Sequence, residues 1–386
     1  MNVLDLLPDV VSSAEHTELV IGFGEKGEDA SEDVLPDLLS FSYVDKENGE
    51  ADELSLTLKD ETGKWAGRWK PEHGETVIAW IRKLNRRMPA LFCGKFFVDS
   101  LRVSGSPRVF ELRATSVPLN TPIRRKANTK GWEKTNIKAI AEEICKEAKV
   151  SLLFDSQENP TYDRRDQKAE SNLKFLSSLC EEAGLSLKVT DKQIVIFDQS
   201  FYEKQKPVAS LTLEQDQILS WSFESQRSET YKSCTVSWRD PKKKTKKTAG
   251  GYNVDLQKEG STSTEYDKDL RPIQKNRAKT NSAVHTFTYN DPEIDESGQE
   301  YVLKKRCANA DEAKQLAKAT LRKLNQRSLT GSLTIVGNTN FVAGIVIELK
   351  GFGSFDGNFF VEQAEHSVTS GGYVTNLSVR RTNTNY

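Results

Sequence analysis

The sequence predicts a mixed β and α/β fold: two similar antiparallel β-barrel modules, a small α/β domain between them, and a polar insertion in the second barrel. Three observations predict it. The hexapeptide Gly94-Lys95-Phe96-Phe97-Val98-Asp99 returns as Gly357-Asn358-Phe359-Phe360-Val361-Glu362. Its flanks return as well: HGETVIAWI (73–81) against AGIVIELKG (343–351) upstream, and VFELRAT (109–115) against VTNLSVR (374–380) downstream. Finally, apolar residues alternate with period two on both sides of a central stretch whose apolar residues recur with the helical period. A repeat whose copies are not adjacent indicates one small β-module duplicated, with other material between the copies. Gly94, Phe96 and Val98 with Gly357, Phe359 and Val361 are its defining positions, and such a chain can present two equivalent faces to a partner.

The first β-barrel module is expected over residues 1–120. TELVIGFG, LLSFSYVD, DELSLTLKD, TVIAWIRKL, ALFCGKFFVDSLRV and RVFELRATSV read as strands, and EKGED, ENGE, PEHGE and SGSP as turns. Trp65 and Trp69 fit a turn that covers a barrel end. The small α/β module is expected over 121–205. Ile137, Ile140, Ala141, Ile144 and Cys145 form one helical stripe, with Thr135 as its expected N-cap. SLLF (151–154) follows as a strand. SNLKFLSSLCEEAG (171–184) is a second helix, capped by Ser171 and ended by Gly184. LSLKVT and IVIF make a hairpin around Asp191-Lys192-Gln193.

The second β-barrel module is expected over 206–240 and 306–386, interrupted by a polar insertion at 241–305 that is partly strand (VHTFTYN) and partly loop. In the module's second part, NADEAKQLAKATLRKLNQRS (309–328) reads as a helix. Asn309 is its N-cap and Glu312 its N3 residue, with Ala313, Leu316, Ala317, Thr320, Leu321 and Leu324 on the buried face. GSLTIVGN, FVAGIVIELKGFG, NFFVEQAEHSV and YVTNLSVRR follow as antiparallel strands.

At 386 residues the chain has room for roughly two to four domains. Its 55 Lys and Arg balance 56 Asp and Glu, for a net charge of −1, so no global field favours nucleic acid or an anionic membrane. Five cysteines form no CxxC pair. Cys145, Cys180 and Cys234 read as small buried hydrophobes, consistent with a reducing folding environment. The N-terminus lacks the basic region of a signal peptide, and no window is apolar enough to span a bilayer. Expected from this is a soluble chain that folds in a cytoplasm.

No catalytic constellation stands out. His16, His73, His285 and His366 have no second His or Cys at ligand spacing, and GxSxG and HExxH are absent. The glycines of GFGSFDG (351–357) precede a strand rather than a helix N-terminus, so they read as a hairpin turn, not a phosphate loop. The cluster Asp291, Glu293, Asp295 and Glu296 lacks the glycine and the terminal carboxylate that a calcium hand places at set positions, and reads as a solvated loop. Lys242, Lys243, Lys244, Lys246 and Lys247 have no aromatic between them for base stacking and read as an exposed hairpin tip. Neither a cofactor, a metal nor an enzymatic activity is expected.

The order of parts resembles the phage late control gene D family, the baseplate hub proteins of contractile tails, and the N-terminal half of type VI secretion spike proteins. The residues carrying the resemblance are ADELSLTLKDETGKW (51–65) with HGETVIAWI, ALFCGKFFVDSLRVSG (90–105), DQKAESNLKFLSSLCEEAGLSLKV (166–189) and AGIVIELKGFGSFDGNFFVEQAEHSVTSGGYVTNLSV (343–379). The resemblance implies a homotrimeric hub in the baseplate of a virion or phage-tail-like particle, assembled in the host bacterial cytoplasm. Two barrels per subunit would give six quasi-equivalent barrels, facing a six-fold tail tube on one side and a three-fold central spike on the other. Implied partners are the chain itself, the tube protein, a spike protein, and other baseplate and tape-measure proteins, without membrane or nucleic acid. Because this sequence ends at Tyr386 where type VI spikes continue, the spike is expected to be a separate polypeptide. The family supplies no consensus catalytic residues. A component that binds or hydrolyses peptidoglycan is the alternative, resting on the helix–strand pattern of 121–200; hydrolysis requires two carboxylates at a set separation, and no pair stands out.

Overall fold

The computed structural model describes residues 17–49, 51–83, 89–117, 122–190, 192–226, 230–239, 265–266, 272–273, 284–292, 294, 298–307 and 309–383. The lysine run and most of the acidic cluster lie outside the described residues.

The first β-unit comprises β1 (Thr17–Phe23), β2 (Glu28–Asp29), a short helix α1 (Ser31–Val34), β3 (Leu38–Lys46), β4 (Glu53–Lys59), β5 (Thr76–Lys83), β6 (Leu91–Ser104) and β7 (Val109–Thr115). The period-two rule decides its faces. In β4, Leu54, Leu56 and Leu58 turn inward; in β7, Phe110, Leu112 and Ala114 do. They meet Phe41, Tyr43 and Phe96 in one core. Trp65 closes one side of the unit, its indole N–H donating to Asp37 over 2.9 Å, while Asp60 accepts from the Trp65 backbone N–H at 2.9 Å. Trp69 stays exposed, edge-on to Trp65.

The middle unit comprises α2 (Pro122–Arg125), β8 (Ala127–Asn136), α3 (Ile137–Ala148), β9 (Ser151–Asp155), β10 (Thr161–Ser171), α4 (Asn172–Ala183), β11 (Ser186–Val189), β12 (Gln193–Phe197) and α5 (Gln199–Glu203). α3 buries the expected stripe, Ile137, Ile140, Ala141, Ile144 and Cys145, and α4 buries Phe175, Leu176, Leu179 and Cys180. The cap of α3 is Asn136, which accepts from Ala139 N–H at 2.8 Å, one residue beyond Thr135. Ser171 caps α4, and Gly184 ends it at φ +74°. The antiparallel ladder of β8 and β10 was not legible in the sequence: both strands are mostly solvated and carry no apolar alternation. Lys188 of β11 ties this unit to the first, 2.7 Å from Asp45 and 3.4 Å from Asp52.

Two strands, β13 (Ala209–Thr212) and β14 (Ile218–Ser225), begin the second β-unit. It is then interrupted by β15 (Tyr231–Arg239), β16 (Glu265–Tyr266), β17 (Pro272–Ile273), β18 (Val284–Asn290), β19 (Gln299–Cys307) and α6 (Ala310–Asn325). The second unit resumes with β20 (Leu329–Val336), β21 (Val346–Lys350), β22 (Gly357–Thr369) and β23 (Gly372–Arg381). The expected boundaries need correction here. The ranges 206–240 and 306–386 put β15 and α6 within the second β-module. Instead β15 is the centre of a separate sheet, β18-β15-β19, against which α6 packs Ala313, Leu316, Ala317 and Leu321 on Cys234 and Val236. An amphipathic stripe shows that a helix covers a sheet, not which sheet it covers.

The expectation of two barrels is also modified. Strands of both β-units join in one open 13-stranded sheet of order β14-β20-β23-β22-β3-β4-β7-β6-β5-β1-β2, with β21 on β22 and β13 on β21. Among the described residues neither unit closes on itself. The joint is β22, whose first half pairs with β21 and whose second half pairs along the same edge with β3. All pairs in this sheet are antiparallel except β13 with β21.

Candidate interaction surface

The two hexapeptides begin on strands that hold the same place in the two units. The run β3-β4-β7-β6-β5 matches the run β14-β20-β23-β22-β21 strand for strand. Register agrees as well as order. Phe96 lies opposite Val77 and Phe359 opposite Ile347; Val98 opposite Ala114 and Val361 opposite Val379. Gly94 and Gly357 take φ +122° and +132°, a region open to glycine and strained for other residues. Gly74 and Gly344 donate to the carbonyls of Val98 and Val361, both over 2.8 Å, at φ +85° and +87°. The Val98 and Val361 N–H groups return to Glu75 and Ile345 carbonyls, both over 2.9 Å. Each ladder then slips by one residue, at Asp99 and at Glu362. Such a bulge bends the strand and raises its twist, so the outer half leaves its first neighbour and becomes free to take another.

Phe96 and Phe359 are fully buried in the two cores. Their sequence neighbours differ. Phe97 is half-buried, with the Lys95 ammonium 5.6 Å from its ring centre. Phe360 is fully buried beneath the guanidinium of Arg380, 4.8 Å from its ring.

Arg380 belongs to a charged junction of four parts of the chain. The Glu203 carboxylate, at the end of α5 and without exposed surface, bonds Arg380 of β23 and, over 2.8 Å, Arg322 of α6. Arg380 Nε lies 3.0 Å from Glu362. Glu203 also accepts from the Asn383 N–H at 3.0 Å. Beside this group, at the end of β3, Glu47 accepts from Gln199 over 3.0 Å. Burial drives the Glu47 carboxyl up to about 7, against the opposing pull of Arg380 and the Gln199 bond. A second buried polar pair lies in the sheet joint itself: His366 Nδ1 is 2.7 Å from the Tyr373 hydroxyl, and burial depresses the His366 imidazole to about 4. Neither Glu203 nor Arg380 carries a sequence signal. They follow ordinary surface-like patterns, and their burial is created by units distant in the chain.

Among the described residues no group of three His, Cys, Asp or Glu could hold a metal ion, and no helix is long and apolar enough to cross a membrane. All five cysteines are buried thiols. Gly351 and Gly353 lie in the turn between β21 and β22, and Gly357 begins β22. A polar hollow of about 460 Å³ in the middle unit is bordered by Lys130, Trp132, Gln167 and Asn172, with Glu147 as its one carboxylate among the described residues. What the sheet does leave open is strand edge. β14 is the last strand at one end, and Trp221 on it is 47 % exposed; beyond the bulge of β6, Val103 is 50 % exposed.

A family model described as phage tail baseplate hub (GPD) matches residues 98–372. A probable baseplate hub protein of Escherichia phage 186 is 23 % identical over 360 residues, covering 89 % of this chain and 87 % of that protein. Among solved structures, the 43 kDa tail protein of prophage MuSo2 from Shewanella oneidensis superposes with a TM-score of 0.64 at 12 % identity, covering 95 % of this chain and 99 % of that one. An E. coli component of the type VI secretion system superposes with a TM-score of 0.53 at 11 % identity, covering 91 % and 75 %.

Proposed function

This chain belongs to the phage tail baseplate hub (GPD) family, and from that membership we propose that it works as a ring of three copies adapting a six-fold tail tube to a three-fold central spike. The chain is a structural baseplate hub protein and a component of the virion tail. Two β-units of one strand order and one register inside a single chain support the adaptor reading most directly. A six-fold partner presents six identical edges. A trimer with one β-unit per chain would satisfy three of them and leave the rest unpaired, which exposed strands tolerate badly. Duplicating the unit within each chain supplies six near-equal receptors while three-fold symmetry is kept elsewhere. In this reading each β-unit is one barrel-like sector of the ring, and the middle unit and the inserted α/β unit, which have no counterpart in the repeat, mark the three-fold side. The tube protein, a spike protein and neighbouring baseplate proteins are the proposed partners, and assembly takes place in the host cytoplasm. Lasting contacts of roughly 2,000 Å² or more per pair of copies are expected for such an assembly.

The test is a reconstruction of the assembled particle with this chain located in it. Three copies around the central axis between tube and spike are expected. Six copies per ring, or a position away from the axis, would overturn the adaptor model. Sedimentation of the purified chain with cell-wall sacculi, or their cleavage by it, would instead favour the peptidoglycan alternative.

A further inference from the structure

The repeat identifies the surface through which copies meet; this inference rests on the ring reading and specifies its joints. Within one chain, β3 is covered on one edge by β4 and on the other by the outer half of β22, with Ser42 opposite Ser367, Tyr43 opposite His366 and Val44 opposite Glu365. Among the described residues its counterpart β14 has one strand neighbour, β20. The two strands are otherwise alike in register. Trp221 and Phe223 lie opposite Leu333 and Gly331 as Phe41 and Tyr43 lie opposite Leu56 and Leu54, and each ladder slips once near its start, after Ile218 and after Leu38.

The counterpart of the outer half of β22 is Ser100–Ser104 of β6. β5 pairs with β6 only as far as Phe97, so beyond the bulge that edge of β6 has no strand partner among the described residues. One chain therefore contains one complete joint and the two separate halves of a second. The halves lie far apart along the sheet order, β14 at its end and β6 towards the other.

Burial reports the missing neighbour. Phe41 is fully buried, whereas its counterpart Trp221 is 47 % exposed although its cross-strand partner Leu333 is in the core. His366 is fully buried, whereas its counterpart Val103 is 50 % exposed although its cross-strand partner Phe110 is in the core. Both apolar side chains point to the core side of the sheet, on edges with no further strand among the described residues. The charges also match: carrying the β3–β22 register across places Glu224 opposite Arg102, a favourable cross-strand pair. β14, reading Ile-Leu-Ser-Trp-Ser-Phe-Glu-Ser, has neither the lysine nor the proline that guards a permanently free edge.

We propose that β14 of one copy adds antiparallel to the outer half of β6 of a second copy, with Ser222 opposite Ser104, Phe223 opposite Val103 and Glu224 opposite Arg102. The contact is head-to-tail. Two different surfaces meet, so every copy keeps one of each free until the ring closes.

The experiment uses the full chain with cysteine placed at paired positions; the five native cysteines are buried. Ser222→Cys and Ser104→Cys are made as separate proteins, mixed and oxidised. Ser225→Cys with Leu101→Cys covers the alternate class of cross-strand pair, because hydrogen-bonded and non-hydrogen-bonded pairs alternate and bridge unequally. Ser220→Cys with Ser100→Cys is the out-of-register control. Expected is a shift of most of the chain to the covalent dimer in at least one in-register mixture, absent from each single variant alone and from the control. A chain carrying both Ser222→Cys and Ser104→Cys should give a ladder ending at the ring. If light scattering finds trimers but neither in-register mixture cross-links, the edge pairing is overturned and the ring of three survives. If cross-linked ladders end at another number, the edge pairing stands and the ring of three falls. A monomer that never cross-links overturns both.

Discussion

At the scale of single residues, the two aromatic pairs of the repeat give the sharpest expectation. Phe96→Ala and Phe359→Ala each empty a fully buried site and should cost about 3–5 kcal/mol in denaturant unfolding. Asp99→Ala, at the exposed bulge, should stay within about 0.5 kcal/mol. The period-two argument made this contrast readable from sequence, because Phe96 and Val98 share a face that Asp99 does not. Glu47 was not readable: the groups that act on its carboxyl, Arg380, Gln199 and Glu203, are all more than a hundred residues away in the chain. With its folded carboxyl raised to about 7 from an ordinary 4.5, the native state holds a proton there that the unfolded chain has lost. Its contribution is therefore fully present below pH 4.5, declines as pH rises through 7, and is gone above. His366, depressed to about 4, slopes the opposite way between its ordinary 6.5 and 4, so the wild-type profile mixes the two. The difference between wild type and Glu47→Gln isolates the carboxyl. The variant should be the more stable above pH 8, by about 3 kcal/mol, and the gap should close as pH falls below 4.5. A gap independent of pH would place the raised carboxyl elsewhere.

At the scale of elements, the glycine–bulge device is the repeated part. Gly74→Ala and Gly344→Ala each force an L side chain to positive φ and should each cost about 1–2 kcal/mol, with losses that agree between the two units. Unequal losses, read as midpoint shifts in urea, would mean that the two turns are not interchangeable. The strands of the repeat, the three long helices and the β11–β12 hairpin were legible because each declares itself within a short window of apolar period or caps. What was not legible follows one rule. The polar ladder of β8 and β10, the allegiance of α6 and β15, and the departure of β22 towards β3 all depend on a partner distant in sequence. The hexapeptide told that two strands are alike; it could not tell that one of them would reach into the other unit instead of closing its own.

For the whole molecule, Glu203 is the residue on which four parts converge. Glu203→Gln leaves Arg322 and Arg380 buried without their shared counter-charge, an effect of about 3–5 kcal/mol. Limited proteolysis should show the middle unit released from the sheet sooner than in wild type. Unchanged fragments and an unchanged unfolding midpoint would mean that Lys188 with Asp45 and Asp52 suffices to hold the units together. The β3–β22 joint has a further consequence, for the kinetics of assembly. Because both strands belong to one polypeptide, that joint forms at the effective concentration set by the chain itself, on the order of millimolar, however dilute the protein is. In the proposed ring, every second joint is thus closed before any two molecules collide. Assembly of that ring becomes a third-order problem in protein rather than a sixth-order one.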